Sequence, residues 1–321
     1  MLPWLILHPD TVNHGYFLKY DVLLPLRFLL NNFFIMETSR RNFLKKSAVG
    51  SALLTLGIIP ACSGERHKLE EIGLIGGVIR DELEKDYRAT LQKVADIGYT
   101  YYEFGNYMGP SLGEFREFLG EIGLIPLAGG SSMAQMIKDD ELEKMVEDAL
   151  ALDKKYLVCY WPWMDGGENK ALDDFKIAAE RLNQLGEKCN RLGIRFAFHN
   201  HDKEFVKVQG FRWGYEVILR ETDPSLVTMQ LDLYWIIKGG GDPLVLFNEY
   251  PGRYEMFHVK DMDNTSEKTF TCPGYGVIDF VPIFARSKQA GVKYYIVEID
   301  RHPEPMQCIE DSFHFLKDLR F

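Results

Sequence analysis

The chain has 321 residues, 46% hydrophobic and 26% charged, with 37 Lys and Arg against 47 Asp and Glu and a formal net charge of −10. That composition fills a sizeable core and excludes a disordered or fibrous chain, and so acidic a surface repels nucleic acid rather than binding it. The five cysteines show no CxxC or zinc-finger spacing, which excludes a thiolate zinc module.

In chain order, residues 1–35 are mostly apolar and lie upstream of Met36, the more natural start. They read as a mis-assigned extension, with a hydrophobic anchor as the alternative. Residues 36–62 read as an export segment. Ser39-Arg40-Arg41-Asn42-Phe43-Leu44-Lys45 resembles a twin-arginine (Tat) motif, and the apolar run that follows, 48–59, falls short of the roughly 20 residues a membrane helix needs. The run ends Pro60-Ala61-Cys62, which resembles a lipobox. Cys62 is then either acylated as the mature N-terminus or lost by cleavage near Ala61. These features predict an exported, periplasmic protein that touches a membrane only through a lipid on Cys62. Residues 1–61 carry six Lys and Arg and three Asp and Glu, which leaves 31 basic against 44 acidic residues beyond, a net of −13. Four cysteines remain there. A disulfide suits an oxidising compartment, whereas Cys159 and Cys189, in an apolar strand and a helix, read as buried free thiols.

From residue 65 onward one unit repeats: a short apolar or β-branched run, a turn, then a helical period. Strands are predicted over 72–77, 99–105, 125–129, 156–161, 195–200, 228–234, 256–260 and 294–299. Helices are predicted over 81–97, 111–122, 138–153, 169–192, 212–221, 242–250, 278–290 and 304–319. Gly98, Gly123, Gly193 and Gly291 sit where a left-handed helix cap belongs. Ser111 and Asp242-Pro243 sit where helices start. Eight strands alternating with eight helices predict a single α/β domain over 65–321, a (β/α)8 barrel.

In such a barrel, chemistry gathers at the C-terminal ends of the strands. The polar residues there are Glu103, His199, His201, Asp232, His258, Lys260, Glu298 and Asp300. In 194–201 an aromatic, alternating strand turns polar at its end, and positions two apart share a face, so His199 and His201 point to one place. Leu231-Asp232-Leu233, Phe257-His258-Val259 and Val297-Glu298-Ile299 each set one polar group in an apolar run, which is costly unless the group is paired or binds metal. His199, Asp232, His258 and Glu298 form a mixed nitrogen and oxygen set that suits Mn, Co, Zn, Mg or Fe(II).

Phe198-His199-Asn200-His201 with Glu204-Phe205, Leu231-Asp232-Leu233-Tyr234-Trp235 with Gly240-Gly241-Asp242-Pro243, Phe257-His258-Val259-Lys260-Asp261, Gly274-Tyr275-Gly276-Val277-Ile278-Asp279-Phe280 and Val297-Glu298 carry a family resemblance. Together they resemble the xylose isomerase-like barrels, the sugar (phosphate) isomerase and epimerase superfamily. The resemblance implies a divalent ion held by residues of the fifth to eighth strands. Asp232, His258 and Glu298 match the last three positions. His199 stands where the family usually has Glu.

The implied activity is proton abstraction next to a carbonyl on an unphosphorylated sugar or keto-sugar, giving isomerisation or epimerisation. Glu298 and His201 are the candidate acid and base. Lys260 is either an added positive charge or a salt-bridge partner of Asp261, and Glu103 is a second acid/base, an acceptor for a substrate hydroxyl or a structural ion pair. Trp161, Tyr234, Trp235 and Glu204 are candidate substrate contacts, with Trp163 beside them, and packing against the helices is the other reading of the aromatic side chains. Gly274-x-Gly276 resembles a loop that brings backbone close to a ligand. Loss of the fifth-strand Glu keeps a 3-keto-glycoside lyase or hydrolase open on the same site. A non-catalytic glycan-binding lipoprotein is the second alternative. An endonuclease-IV-like repair enzyme is disfavoured by the charge of −13.

Overall fold

The computed structural model describes residues 67–321, so the Tat-type segment and Cys62 lie outside the described residues. Ten strands occur, β1 (Gly73–Ile75), β2 (Tyr101–Glu103), β3 (Ile125–Ser132), β4 (Tyr156–Trp161), β5 (Arg195–His199), β6 (Val227–Asp232), β7 (Tyr254–Val259), β8 (Asp261–Met262), β9 (Phe270–Thr271) and β10 (Tyr294–Val297). Eight of them close into a parallel barrel in the order β1-β10-β7-β6-β5-β4-β3-β2, while β8 and β9 pair as a separate antiparallel ribbon. All eight barrel strands fall where the sequence predicts them, and the helices between them give the (β/α)8 architecture.

Strand alternation builds two cores. Phe196, Phe198, Phe257 and Leu231 point outward and are buried under the helices. Each such side chain stabilises the fold by roughly 1.5–3 kcal/mol relative to exposure. The intervening residues, among them Val158, Ala197, Met256 and Ile296, fill the barrel interior. Counting on by two from these interior positions reaches Tyr160, His199, His258 and Glu298. On β4, β5, β7 and β10 the inward face is therefore apolar at its base and polar at its C-terminal end.

The predicted glycine caps hold: Gly98, Gly123, Gly193 and Gly291 all have positive φ, between 78° and 116°. Ser111 accepts from the Glu114 amide at 3.2 Å, and Asp242 from the Leu244 amide at 2.8 Å. The differences are local. The sixth barrel strand ends at Asp232, two residues before the predicted end, because the Asp232 carboxylate accepts from the Trp235 amide at 2.9 Å and starts the helix Leu233–Lys238. The predicted helix 278–290 is two short helices, Phe280–Phe284 and Ser287–Ala290. Cys272 and Cys308 form a disulfide, whereas Cys159 and Cys189 are buried free thiols.

Candidate metal centre

Closing the barrel brings β5, β6 and β7 side by side, with His199 opposite Gln230 and Asp232 opposite His258 in register. One ligand atom from each of His199, Asp232 and His258 lies within 4.8 Å of the others, and all three side chains are buried. Glu298, at the end of β10, borders this cluster, with Oε2 3.8 Å from His258 Nδ1.

The donors have the character of a cation site. Asp232 spends Oδ1 on the helix start, while its Oδ2 and His258 Nδ1 are buried with no hydrogen-bond partner. Burial pushes the Asp232 carboxyl well above its usual range, against the pull of Lys260. Burial also holds His199 well below the ordinary imidazole range. Burial would raise Glu298 too, but Lys260 holds it below the usual carboxylate range. Two carboxyl groups and two imidazoles thus converge on one buried place, and a buried set of this kind is stable when a cation joins it. The residues fit a divalent ion.

Lys260 is fully buried, 2.9 Å from Glu298 Oε2 and 2.6 Å from Asp300 Oδ2. Its ammonium also lies 4.9 Å from the Trp235 ring centre, 5.4 Å from that of Tyr234 and 5.3 Å from that of Phe270. Burial lowers its pKa, but Glu298, Asp232 and Asp300 outweigh that and hold it above the usual lysine value, so it is a fixed cation. Its partners are therefore Glu298 and Asp300, not Asp261. Asp261 instead accepts from the amides of Met262, Gly274, Gly276 and Ile278 at 2.8–3.1 Å. A Cβ at Gly276 would lie 2.3 Å from Asp261 Oδ1, so the Gly-x-Gly loop serves close approach to the chain's own carboxylate.

His201 sits at the mouth of the centre, half-buried, its ring 5.0 Å from His199, 5.2 Å from Trp161 and 5.3 Å from Trp235. Its Nδ1 has no partner, and burial brings its pKa down to about 4, so the ring is neutral. Trp161 and Trp235 keep partly open faces here.

Three candidate residues meet partners within the chain. Glu103, read either as an acid/base or as a structural ion pair, is buried and paired: Oε1 accepts from Tyr160 Oη at 2.6 Å, and Oε2 from Gln230 Nε2 at 2.8 Å and faces His258 Nε2 at 3.1 Å. Glu204 does not face a substrate. It is wholly buried, accepting from Trp163 Nε1 at 2.8 Å and from the His201 amide at 2.5 Å, and it shapes the loop that carries His201. Tyr234 is also fully buried, its hydroxyl donating to the Lys268 carbonyl and accepting from Lys238. Gln230, Tyr160 and Asn200 had not been anticipated. Asn200 accepts from the Asp232 amide at 3.0 Å and donates to the Asp232 carbonyl, tying β5 to β6. Strand parity alone marks Gln230 and Tyr160, each two residues from an interior position.

A closed parallel barrel with a His, Asp, His and Glu cluster at its C-terminal mouth defines the class. The chain belongs to the xylose isomerase-like TIM barrel family, whose model matches residues 91–319. It is 28% identical over 148 residues to an inosose dehydratase of Lacticaseibacillus casei, a match covering 41% of this chain and 49% of that one. The chain thus spans about half the length of that curated relative. The crystal structure of a sugar phosphate isomerase/epimerase from Parabacteroides distasonis superposes with a TM-score of 0.64 at 26% identity, covering 78% of this chain and 98% of that one. The IolI protein, crystallised with a zinc atom, shares the fold with a TM-score of 0.59 at 18% identity, over 77% of this chain and 95% of that one.

Proposed function

We propose that the protein is a divalent-metal-dependent enzyme that removes a proton next to a carbonyl on an unphosphorylated sugar or keto-sugar. One observation carries this reading: His199, Asp232 and His258 converge within 4.8 Å, with buried and unpartnered atoms on two of them. His199, Asp232, His258 and Glu298 would hold the ion, which is Mn, Co, Zn or Mg by its donor set. When bound, such an ion supplies Lewis-acid polarisation of a substrate carbonyl.

The chain's own residues supply the rest. His201 is the candidate base at the mouth: its ring stands between His199 and the two indoles, and its buried Nδ1 has no partner within the chain. Glu298 is the carboxylate on the other side of the cluster. Lys260 adds a fixed positive charge beside it, where negative charge builds up. Trp161 and Trp235 offer apolar faces for a sugar ring.

Isomerisation or epimerisation follows if the proton returns to carbon. Elimination from a 3-keto-glycoside follows if a leaving group departs instead. The second outcome is favoured by two points: a single carboxylate of the expected pair remains, and the matched L. casei relative is a dehydratase. Export by the Tat route, a periplasmic location and a lipid on Cys62 belong to the same reading, and the Cys272–Cys308 disulfide supports an oxidising compartment.

The test is a screen of metal-loaded protein against aldoses, ketoses and 3-keto-glycosides in D2O. Deuterium incorporation or an eliminated product is expected with one class. A metal-loaded protein that exchanges no substrate proton in any class overturns the enzyme reading in favour of a glycan binder.

A further inference from the structure

We propose that Glu103 is a positioning residue that fixes, through two separate hydrogen-bond paths, which nitrogen of His199 and which nitrogen of His258 faces the centre. The inference rests on the metal reading for its consequence, but the ring tautomers it assigns belong to the chain alone.

The first path is direct. Glu103 Oε2 lies 3.1 Å from His258 Nε2. A carboxylate oxygen only accepts, so His258 carries its proton on Nε2 and its lone pair on Nδ1. That Nδ1 is buried without a partner and sits 3.8 Å from Glu298 Oε2, on the side of the cluster.

The second path runs through Gln230. The same Glu103 oxygen accepts from Gln230 Nε2 at 2.8 Å, which fixes the amide's orientation, because its oxygen cannot face a carboxylate oxygen. Gln230 Oε1 then lies 3.1 Å from His199 Nδ1 and must be the acceptor. His199 is thus protonated on Nδ1 and offers Nε2. Tyr160, donating to the other Glu103 oxygen at 2.6 Å, holds the carboxylate in place.

The two histidines therefore present opposite nitrogens, Nε2 from His199 and Nδ1 from His258, under the control of one carboxylate on β2. A ligand histidine whose other nitrogen is held in this way keeps its lone pair aimed, and losing the outer partner typically costs about 10- to 100-fold in metal affinity.

The test reads the tautomers by 15N NMR of histidine-labelled, metal-free protein. The wild type should show Nδ1–H on His199 and Nε2–H on His258. In Gln230→Met, His199 should lose its single tautomer while His258 keeps its own. In Glu103→Met both should lose it, and Zn or Co affinity should fall about 10- to 100-fold in each folded variant. Should Glu103→Met fail to fold, Gln230→Met decides alone. A Gln230→Met protein that retains Nδ1–H on His199 and binds metal as the wild type does overturns the proposal. A wild type that binds no metal, yet shows both tautomers, overturns the metal reading and leaves the tautomer assignment standing.

Discussion

Lys260 and Glu298 face each other at 2.9 Å across the mouth of the barrel, the lysine fully buried and the carboxylate almost so. The lysine is the last residue before the β8–β9 ribbon and the glutamate the first after β10, so the pair joins the seventh and eighth barrel strands at their C-terminal ends. In metal-free protein it is Lys260 that keeps the Glu298 carboxylate charged.

Lys260→Met tests that pairing. The methionine keeps much of the volume among Tyr234, Trp235 and Phe270 but leaves Glu298 and Asp300 without their cation. Removing one partner of a buried ion pair costs about 3–5 kcal/mol. Denaturant unfolding of the metal-free variant should show a loss of that size, and a variant as stable as the wild type would show that the pair is solvated rather than buried.

Asp232→Ala and His258→Ala should each bring bound metal from about one equivalent to near zero, measured by elemental analysis after dialysis. Asp232→Ala also removes the cap of the helix Leu233–Lys238, which accepts from the Trp235 amide, a further loss of about 1 kcal/mol. Unchanged metal content in both variants would remove the site from consideration.

His199→Glu should change which metal is preferred. Two imidazoles with two carboxylates lean toward Zn and Co, whereas one imidazole with three carboxylates leans toward Mg and Mn. Competition between Zn and Mn, read by elemental analysis, should move toward Mn in the variant. The extra carboxylate needs a donor where Gln230 now offers its oxygen, so Gln230→Lys or Gln230→Arg is the natural companion change.

The strands, and the places of His199, Asp232, His258 and Glu298 on them, were legible because each is a local pattern: an apolar run, and a polar residue at its inward-facing end. Glu103, Glu204 and Tyr234 were not, because their surroundings come from distant segments. Glu103 meets Gln230 and His258, 127 and 155 residues away. Glu204 meets the Trp163 indole, 41 residues back. A polar residue at a strand end or in the loop after it is equally compatible with facing a substrate and with supporting a neighbour. Only the barrel's closure decides between them. The Gly-x-Gly loop shows the same limit, since its motif signals close backbone approach without saying to what, and the partner is Asp261, encoded 13 to 15 residues earlier.

Glu204 predicts a pH dependence of stability. Burial pushes its carboxyl up to about 8, against the two N–H groups that donate to it. Between pH 4.5 and 8 the folded protein keeps a proton that the unfolded chain has released. Stability is therefore greatest below pH 4.5 as far as this group is concerned, and falls by up to about 1.4 kcal/mol per pH unit as pH rises to 8. Glu204→Gln should remove that contribution. It should also cost about 1–3 kcal/mol at low pH, because one amide N–H must then face a donor, either the Trp163 indole or the His201 amide. Urea unfolding at several pH values separates the two effects. A variant whose pH slope equals that of the wild type would assign the slope to other groups.

The Cys272–Cys308 disulfide predicts how the protein responds to reduction. Cys272 follows directly on β9 and leads into the loop gathered by Asp261, and Cys308 lies in the last helix, 36 residues on. The bond therefore ties the segment just beyond Lys260 to the helix that closes the barrel. Closing a loop of that length restricts the unfolded chain by roughly 4 kcal/mol in the chain-entropy model. Cys272→Ser with Cys308→Ser, or a reducing agent, should lower the melting temperature by a corresponding amount. The wild type, denatured without reductant, should expose two thiols from residues 67–321, those of Cys159 and Cys189. Four thiols, together with a melting temperature that reductant does not change, would mean the bond does not form in the protein as made, and would withdraw its support for an oxidising compartment. Two thiols and a reductant-sensitive melt would favour a protein that matures outside the reducing cytoplasm, as the twin-arginine motif predicts.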